Sequence, residues 1–163
     1  YQNHIFDALM AAGSDLGLKP FGIRAMDSLR YEKSYRMVGT EISIEYAAYE
    51  SGLDRFVHPD KGDFIGRQAL IERAASDPQR RLAGLVAEIG ESGAWLWGHE
   101  AIFADDRAVA LTLSTGYGHR VGKSIALAFL PVELAEPGTA LEIEVLGKRL
   151  TVTVVQMPLY VRA

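Results

Sequence analysis

The sequence predicts an α+β protein: an α/β segment over residues 1–80, then an all-β part over residues 81–163 forming a small antiparallel barrel or sandwich. Three observations carry this. Ile5, Phe6, Ala8, Leu9 and Ala12 recur at helical spacing. Leu141-Glu142-Ile143-Glu144-Val145 alternates strictly between apolar and acidic residues, the pattern of a half-buried strand. After Arg80, short β-rich segments follow one another with turn residues between them.

Taken in order, the first helix ends at Gly13. The Gly17–Ile23 segment, broken by glycine and proline, reads as a turn into a short strand. Asp27 or Ser28 then caps a helix that runs to about Ser34, with Leu29 on its apolar side. Residues 41–50 mix β-branched and aromatic side chains without a period and read as irregular or strand. Asp63–Ile71 starts a helix that buries Leu70, Ile71 and Ala74 and ends at Pro78. Strands are expected at Leu82–Ile89, Ala108–Thr115, Ser124–Leu130, Leu141–Leu146 and Leu150–Val155, the last two joined as a hairpin around Gly147-Lys148.

Composition narrows the function. With 48% hydrophobic and 23% charged residues, the 163-residue chain has the balance of a folded domain, not of a disordered one. Its net charge of −4 argues against a nucleic-acid partner, because phosphate neutralisation needs a basic excess. The absence of cysteine excludes disulfides, thiolate metal sites and a cysteine nucleophile, and fits a reducing compartment such as the cytoplasm. No apolar run approaches the roughly 18 residues of a membrane span. The sequence carries no signal for oligomeric state.

Most local motifs are inert. Gly116–Ser124 resembles a phosphate loop by eye, but Tyr117 stands where the first P-loop glycine belongs and Val121 breaks the dinucleotide pattern, so the segment reads as a glycine-rich hairpin. His4, His58, His99 and His119 are scattered without ligand spacing, and no metal site is expected. Glu41, Glu45 and Glu50 beside Tyr46 and Tyr49 read either as a site for a polar or cationic ligand or as a solvated surface. Arg30 and Glu32 are too close in sequence to face each other on a helix and must find other partners.

Gly22-Ile23-Arg24-Ala25-Met26-Asp27-Ser28-Leu29-Arg30-Tyr31-Glu32-Lys33-Ser34-Tyr35-Arg36 resembles the R-x-D-S-L-R-x-E-K-x-Y-R signature of the aminomethyltransferase family. The resemblance continues through Gly39-Thr40-Glu41, Glu50–Leu53, Lys61–Leu70, Ser114-Thr115-Gly116, Gly122–Ala126, Pro137-Gly138-Thr139 and Met157–Tyr160. It covers nearly the whole chain in order. Glu32–Arg36 and Gly52–Val57 look more like the branch associated with dimethylglycine and sarcosine dehydrogenases than like the free-standing T-proteins.

The resemblance implies the C-terminal portion of the aminomethyltransferase fold: residues 1–80 as the end of a folate-binding domain, and 81–163 as the barrel. It implies one-carbon transfer from a small amine to tetrahydrofolate, where the protein's task is orientation and exclusion of water. The chain lacks an initiating methionine and the family's upstream motifs, including the folate-orienting aspartate, so it is expected to be a fragment, inactive alone. FAD, if the parent uses it, is expected to bind outside this chain.

Three positions carry over as folate contacts. Tyr35 falls at a tyrosine that lines the folate pocket in some T-proteins. Arg162 falls at an arginine placed to meet a glutamate-tail carboxylate. The family's arginine before the aspartate is replaced here by Met26, and Arg24 takes its place only if the two share a strand face. No catalytic residue is assigned. Arg30, Glu32, Asp63 and Gly66 also match and read as structural. Two other readings stand beside this one: a stand-alone T-protein or folate-dependent demethylase, and a non-catalytic folate-binding module.

Overall fold

A computed structural model of the chain describes residues 1–88 and 96–161. Helix α1 spans Gln2–Gly13, α2 Ile23–Glu32 and α3 Arg67–Ala75. Seven strands follow: β1 Arg80–Ala87, β2 Ala101–Ala104, β3 Arg107–Leu111, β4 Thr115–Gly118, β5 Lys123–Pro131, β6 Ala140–Val145 and β7 Lys148–Val155. They form one antiparallel sheet in the order β3-β2-β6-β7-β1-β5-β4.

The sheet curls until its two edges meet in sequence. β3 and β4 are separated only by Thr112, Leu113 and Ser114. Thr112 N still donates to Glu100 O beside β2 at 2.9 Å, whereas Leu113 N already donates to Leu127 O of β5 at 2.8 Å. The chain therefore changes pairing partner between two consecutive residues. Arg80 fills the seam this leaves, donating from Nη1 to Val109 O of β3 at 3.2 Å and to Phe129 O of β5 at 3.0 Å.

Inside the curl lie Leu85 of β1, Ile102 of β2, Leu130 of β5, Ile143 of β6 and Val152 and Val154 of β7, all at most 1% exposed. Their period of two is the strand period. The outer face of β1 and β5 is covered as well, where Leu82, Leu127 and Phe129 pack with Tyr46, Leu113 and Met157. That double cover explains why β1 and β5 read as continuous apolar runs while β6 alternates. The β6–β7 hairpin turns at Leu146 (φ 50°) and Gly147 (φ 75°), the left-handed pair of a primed turn.

Several expectations are corrected. Residues 17–23 form no strand: Gly22 is already the N-cap of α2, without a side-chain cap. Asp27 and Ser28 lie inside that helix because their side chains bond sideways. The segment expected as one strand over 108–115 is two, broken at the change of partner. The short β2 was not anticipated. Helix α3 buries none of Leu70, Ile71 or Ala74. The predicted end of β1 at Ile89 lies outside the described residues. Helix α1 leaves Ile5, Phe6 and Leu9 more than half exposed.

Candidate functional site

Helix α2 is the element that organises the polar groups. Arg24, Asp27, Ser28 and Tyr31 follow the i, i+3, i+4, i+7 rule and share one face. That face meets β4, which permits the approach through two glycines. A Cβ on Gly116 would sit 2.7 Å from Tyr31 Cδ2, and one on Gly118 would sit 3.0 Å from Glu32 Cγ. Glycines alternating along a strand mark close approach by another element. This is the purpose of the Gly116–Gly118 segment that sequence reasoning assigned only to a hairpin; the β4–β5 hairpin itself is present.

Polar bonds lock the contact. Ser28 Oγ donates to Tyr117 O at 2.6 Å. The Glu32 carboxylate, 2% exposed, accepts from Arg120 N at 2.5 Å and Val121 N at 3.4 Å in the β4–β5 turn. Arg30 donates to Ser114 Oγ and to Tyr35 O, each at 3.0 Å, and lies 3.5 Å from both Asp27 Oδ1 and Glu41 Oε2. Arg30 and Glu32 thus find separate partners, as their spacing requires.

The acidic run of residues 41–50 is neither a ligand site nor a solvated surface as a whole. Glu41 is fully buried and accepts from Met37 N at 2.9 Å as well as facing Arg30. Glu50, 6% exposed, accepts from Ala47 N at 2.8 Å and Arg73 Nη2 at 3.2 Å. Tyr46 stacks on Phe129, centroids 3.5 Å apart and planes 10° from parallel. Only Glu45 of the three carboxylates is exposed. The run ties its own loop to the barrel.

Two clefts flank α2. The first, about 410 Å³, lies between α2 and β4 and is lined by Arg24, Tyr31, Trp97, Tyr117 and His119 among others. Its walls are aromatic, with the His119 ring edge-on to Tyr117 at 5.0 Å. Burial, then the charge of Asp27, pushes the Tyr31 phenol above its ordinary value; Arg30 acts in the opposite direction. The second cleft, about 320 Å³, lies past the C-terminus of α2 and is bordered by Lys33, Ser34, Tyr35, Arg36, Gly52 and Arg55.

The residues singled out from sequence are distributed as follows. Arg24 lines the first cleft. Because α2 is a helix, Arg24 and Met26 point about 200° apart, so they do not share the face that a strand would have given them. Tyr35 borders the second cleft and is 57% exposed. Arg162 lies outside the described residues. Trp97, Tyr31 and His119 carried no sequence signal of their own, since a cleft between a helix and a distant hairpin has no local pattern.

The family model for the glycine cleavage T-protein C-terminal barrel domain matches residues 80–160, and that for the GCVT N-terminal domain matches residues 1–61. The chain belongs to the glycine-cleavage T-protein family. Among relatives of this family, the human mitochondrial dimethylglycine dehydrogenase is 38% identical over 156 residues, 95% of this chain and 18% of that protein. An aminomethyltransferase of Saccharopolyspora erythraea is 33% identical over 159 residues, 97% of this chain and 43% of that protein. The crystal structure of the glycine cleavage system aminomethyltransferase T from Bartonella henselae superposes with a TM-score of 0.83 at 22% identity, over 97% of this chain and 43% of that one, which shows the fold. The chain therefore spans less than half the length of these T-protein relatives and about a fifth of the dehydrogenase. Among the described residues, no helix is long and apolar enough to cross a membrane.

Proposed function

We propose that the chain supplies the closing half of a reduced-folate pocket in a protein that transfers one-carbon units from a small amine to tetrahydrofolate, the parent being of the FAD-dependent dimethylglycine or sarcosine dehydrogenase type. The observation that carries the reading is what α2 and its exit leave free. Asp27, Arg30, Glu32, Arg36 and Glu41 are all bonded into the fold. Arg24 and the Tyr35 hydroxyl have no hydrogen bond or ion pair among the described residues. A free guanidinium and an exposed phenol on a rigid segment fit a ligand with flat rings and a carboxylate tail.

Bound tetrahydrofolate would supply the nitrogens that capture the one-carbon unit. This chain's residues hold and shield it. Tyr35 packs on a ring of the folate, Arg162 is carried over from the family resemblance as the partner of its anionic end, and the buried Arg30 network keeps the segment from moving. Because α2 is a helix, Arg24 does not stand in for the arginine that Met26 replaces and enters only as a free guanidinium of the first cleft. Residues 1–80 act as the end of the folate-binding domain and 81–163 as the barrel against which it rests. The FAD of such a parent is proposed to bind outside this chain, whose sequence holds no dinucleotide fingerprint. The proposed compartment is the cytoplasm, supported by the cysteine-free composition; the printed name of the human relative places that protein in the mitochondrion.

The aminomethyltransferase relatives support a second parent, a stand-alone T-protein, with the same use of Tyr35 and Arg24. Calorimetric titration of tetrahydrofolate into the longest polypeptide carrying this chain tests the proposal. Tyr35→Leu is expected to weaken binding about two- to tenfold, matching the worth of one aromatic contact. Arg24→Gln and Arg162→Gln are expected to weaken it while leaving the melting temperature unchanged. No binding, or equal binding by all three variants, rejects the reading. Flavin absorbance of the same preparation separates the two parents.

A further inference from the structure

The second cleft holds more positive charge than the fold uses. Lys33, Arg36 and Arg55 border it, and none of its lining side chains among the described residues is acidic. The Lys33 ammonium rests over the Tyr160 ring at 4.7 Å, and the Arg55 guanidinium over the Phe56 ring at 4.6 Å. Both cations are parked on aromatic faces with no carboxylate among the described residues within ion-pair distance, an arrangement that leaves their N–H groups available.

Arg36 is fixed. Its Nε donates to Ser51 O at 2.9 Å and its Nη1 to Ser34 O at 3.1 Å. Its Nη2 makes no hydrogen bond among the described residues and lies over Gly52, where a Cβ would come within 2.6 Å. Gly52 (φ 63°) is thus required both by its turn and by the guanidinium above it. Burial, then the charge of Arg55, holds Arg36 below the ordinary arginine range, while Glu41 and Asp54 pull the other way. Beside the same cleft, Ser34 Oγ is buried without a hydrogen-bond partner among the described residues. Two guanidiniums and an ammonium around one hollow repel one another until an anion enters.

We propose that this cleft is an oxyanion site, taking a carboxylate or phosphate group against Arg36 Nη2, Arg55 and Lys33. This goes beyond the folate reading, although the two sites adjoin at Tyr35. The anion has two sources: the γ-linked glutamate chain of a folate, or a separate small anion.

Titration of the full chain with inorganic phosphate, followed by the arginine Nε–H signals in NMR, tests the site. Phosphate is expected to move the Arg36 and Arg55 signals together. Arg55→Gln and Lys33→Gln are each expected to weaken binding about tenfold, the worth of one charge-assisted contact, and Arg55→Lys to weaken it less. Lys61→Gln, a cation removed elsewhere, should change nothing. A response shared equally by all variants and the control overturns the proposal. Reduced folate with one and with four glutamates then separates the sources: a gain from the longer tail that Arg55→Gln abolishes assigns the tail, and phosphate binding with no such gain assigns a separate anion. Phosphate binding without any folate binding would uphold this site while rejecting the folate reading.

Discussion

Tyr31 of α2 lies against the bare backbone of Gly116 in β4, and no side chain intervenes. The contact joins residues 85 positions apart and sets where the first cleft opens. Gly116→Ala places a methyl group inside the ring's van der Waals envelope. Such overpacking costs about 1–3 kcal/mol. Tyr31→Ala should relieve it, so the double variant is expected to lose less stability than the sum of the two singles in urea unfolding. Strict additivity would show that the two residues do not touch.

Glu41 is the buried counter-charge of Arg30, and Asp27 is the partly exposed one. Their side chains are 0% and 24% exposed. Removing a buried partner strands a charge, so Glu41→Gln is expected to cost about 3 kcal/mol. Asp27→Asn, with solvent to screen it, should cost about 1 kcal/mol or less. Denaturant midpoints of the two variants decide this, and equal losses would count against the burial argument.

The Tyr31 phenol is held neutral past its ordinary range by burial and Asp27. An acid whose folded value is raised stabilises the fold fully below its unfolded value, near pH 10, and loses that contribution as pH rises through the folded value. Absorbance titration near 295 nm should therefore show one late-ionising phenol that Tyr31→Phe removes. Tyr31→Phe should also flatten the loss of stability above about pH 10. A titration unchanged by the substitution would refute the assignment.

Arg80 is the only side chain among the described residues that donates to both β3 and β5. Arg80→Met keeps the aliphatic stem and removes the donors, leaving Val109 O and Phe129 O to find water. The expected loss is about 1–3 kcal/mol. Hydrogen exchange should rise first in β3, before the β6–β7 hairpin.

Reading the sequence succeeded where one neighbour decides the structure. The 141–145 alternation is local and appears as expected, and so does the hairpin after it, although its turn falls at Leu146-Gly147, one residue earlier than the expected Gly147-Lys148. It failed where a distant element decides. Asp27 and Ser28 have cap-like side chains, yet one pairs with Arg30 and the other bonds Tyr117 O, so the helix begins at Ile23, four residues before Asp27. β2 has only four residues, too few to show a period, and pairs with both its neighbour β3, across a bulge, and the distant β6. Glu41 and Glu50 look solvated because their buried donors come from elsewhere in the loop and from Arg73. Arg24 and Tyr35 were singled out through the motif, and the structure places them on two different clefts, Arg24 on a helix and not on the strand face that its carry-over required. The cations of the second cleft were visible as residues, but their convergence depends on Gly52 bringing another loop beneath Arg36.

The change of partner between Thr112 and Leu113 also bears on how the molecule behaves in a crowd. An open sheet offers a row of unsatisfied amides to any passing copy of itself, a template for aggregation. Here the would-be outermost strands are successive stretches of one polypeptide, and Arg80 occupies the gap between β3 and β5. Loss of that guanidinium would leave Val109 O and Phe129 O without their shared donor, and a strand edge stripped of its partner is the kind that invites pairing with another copy.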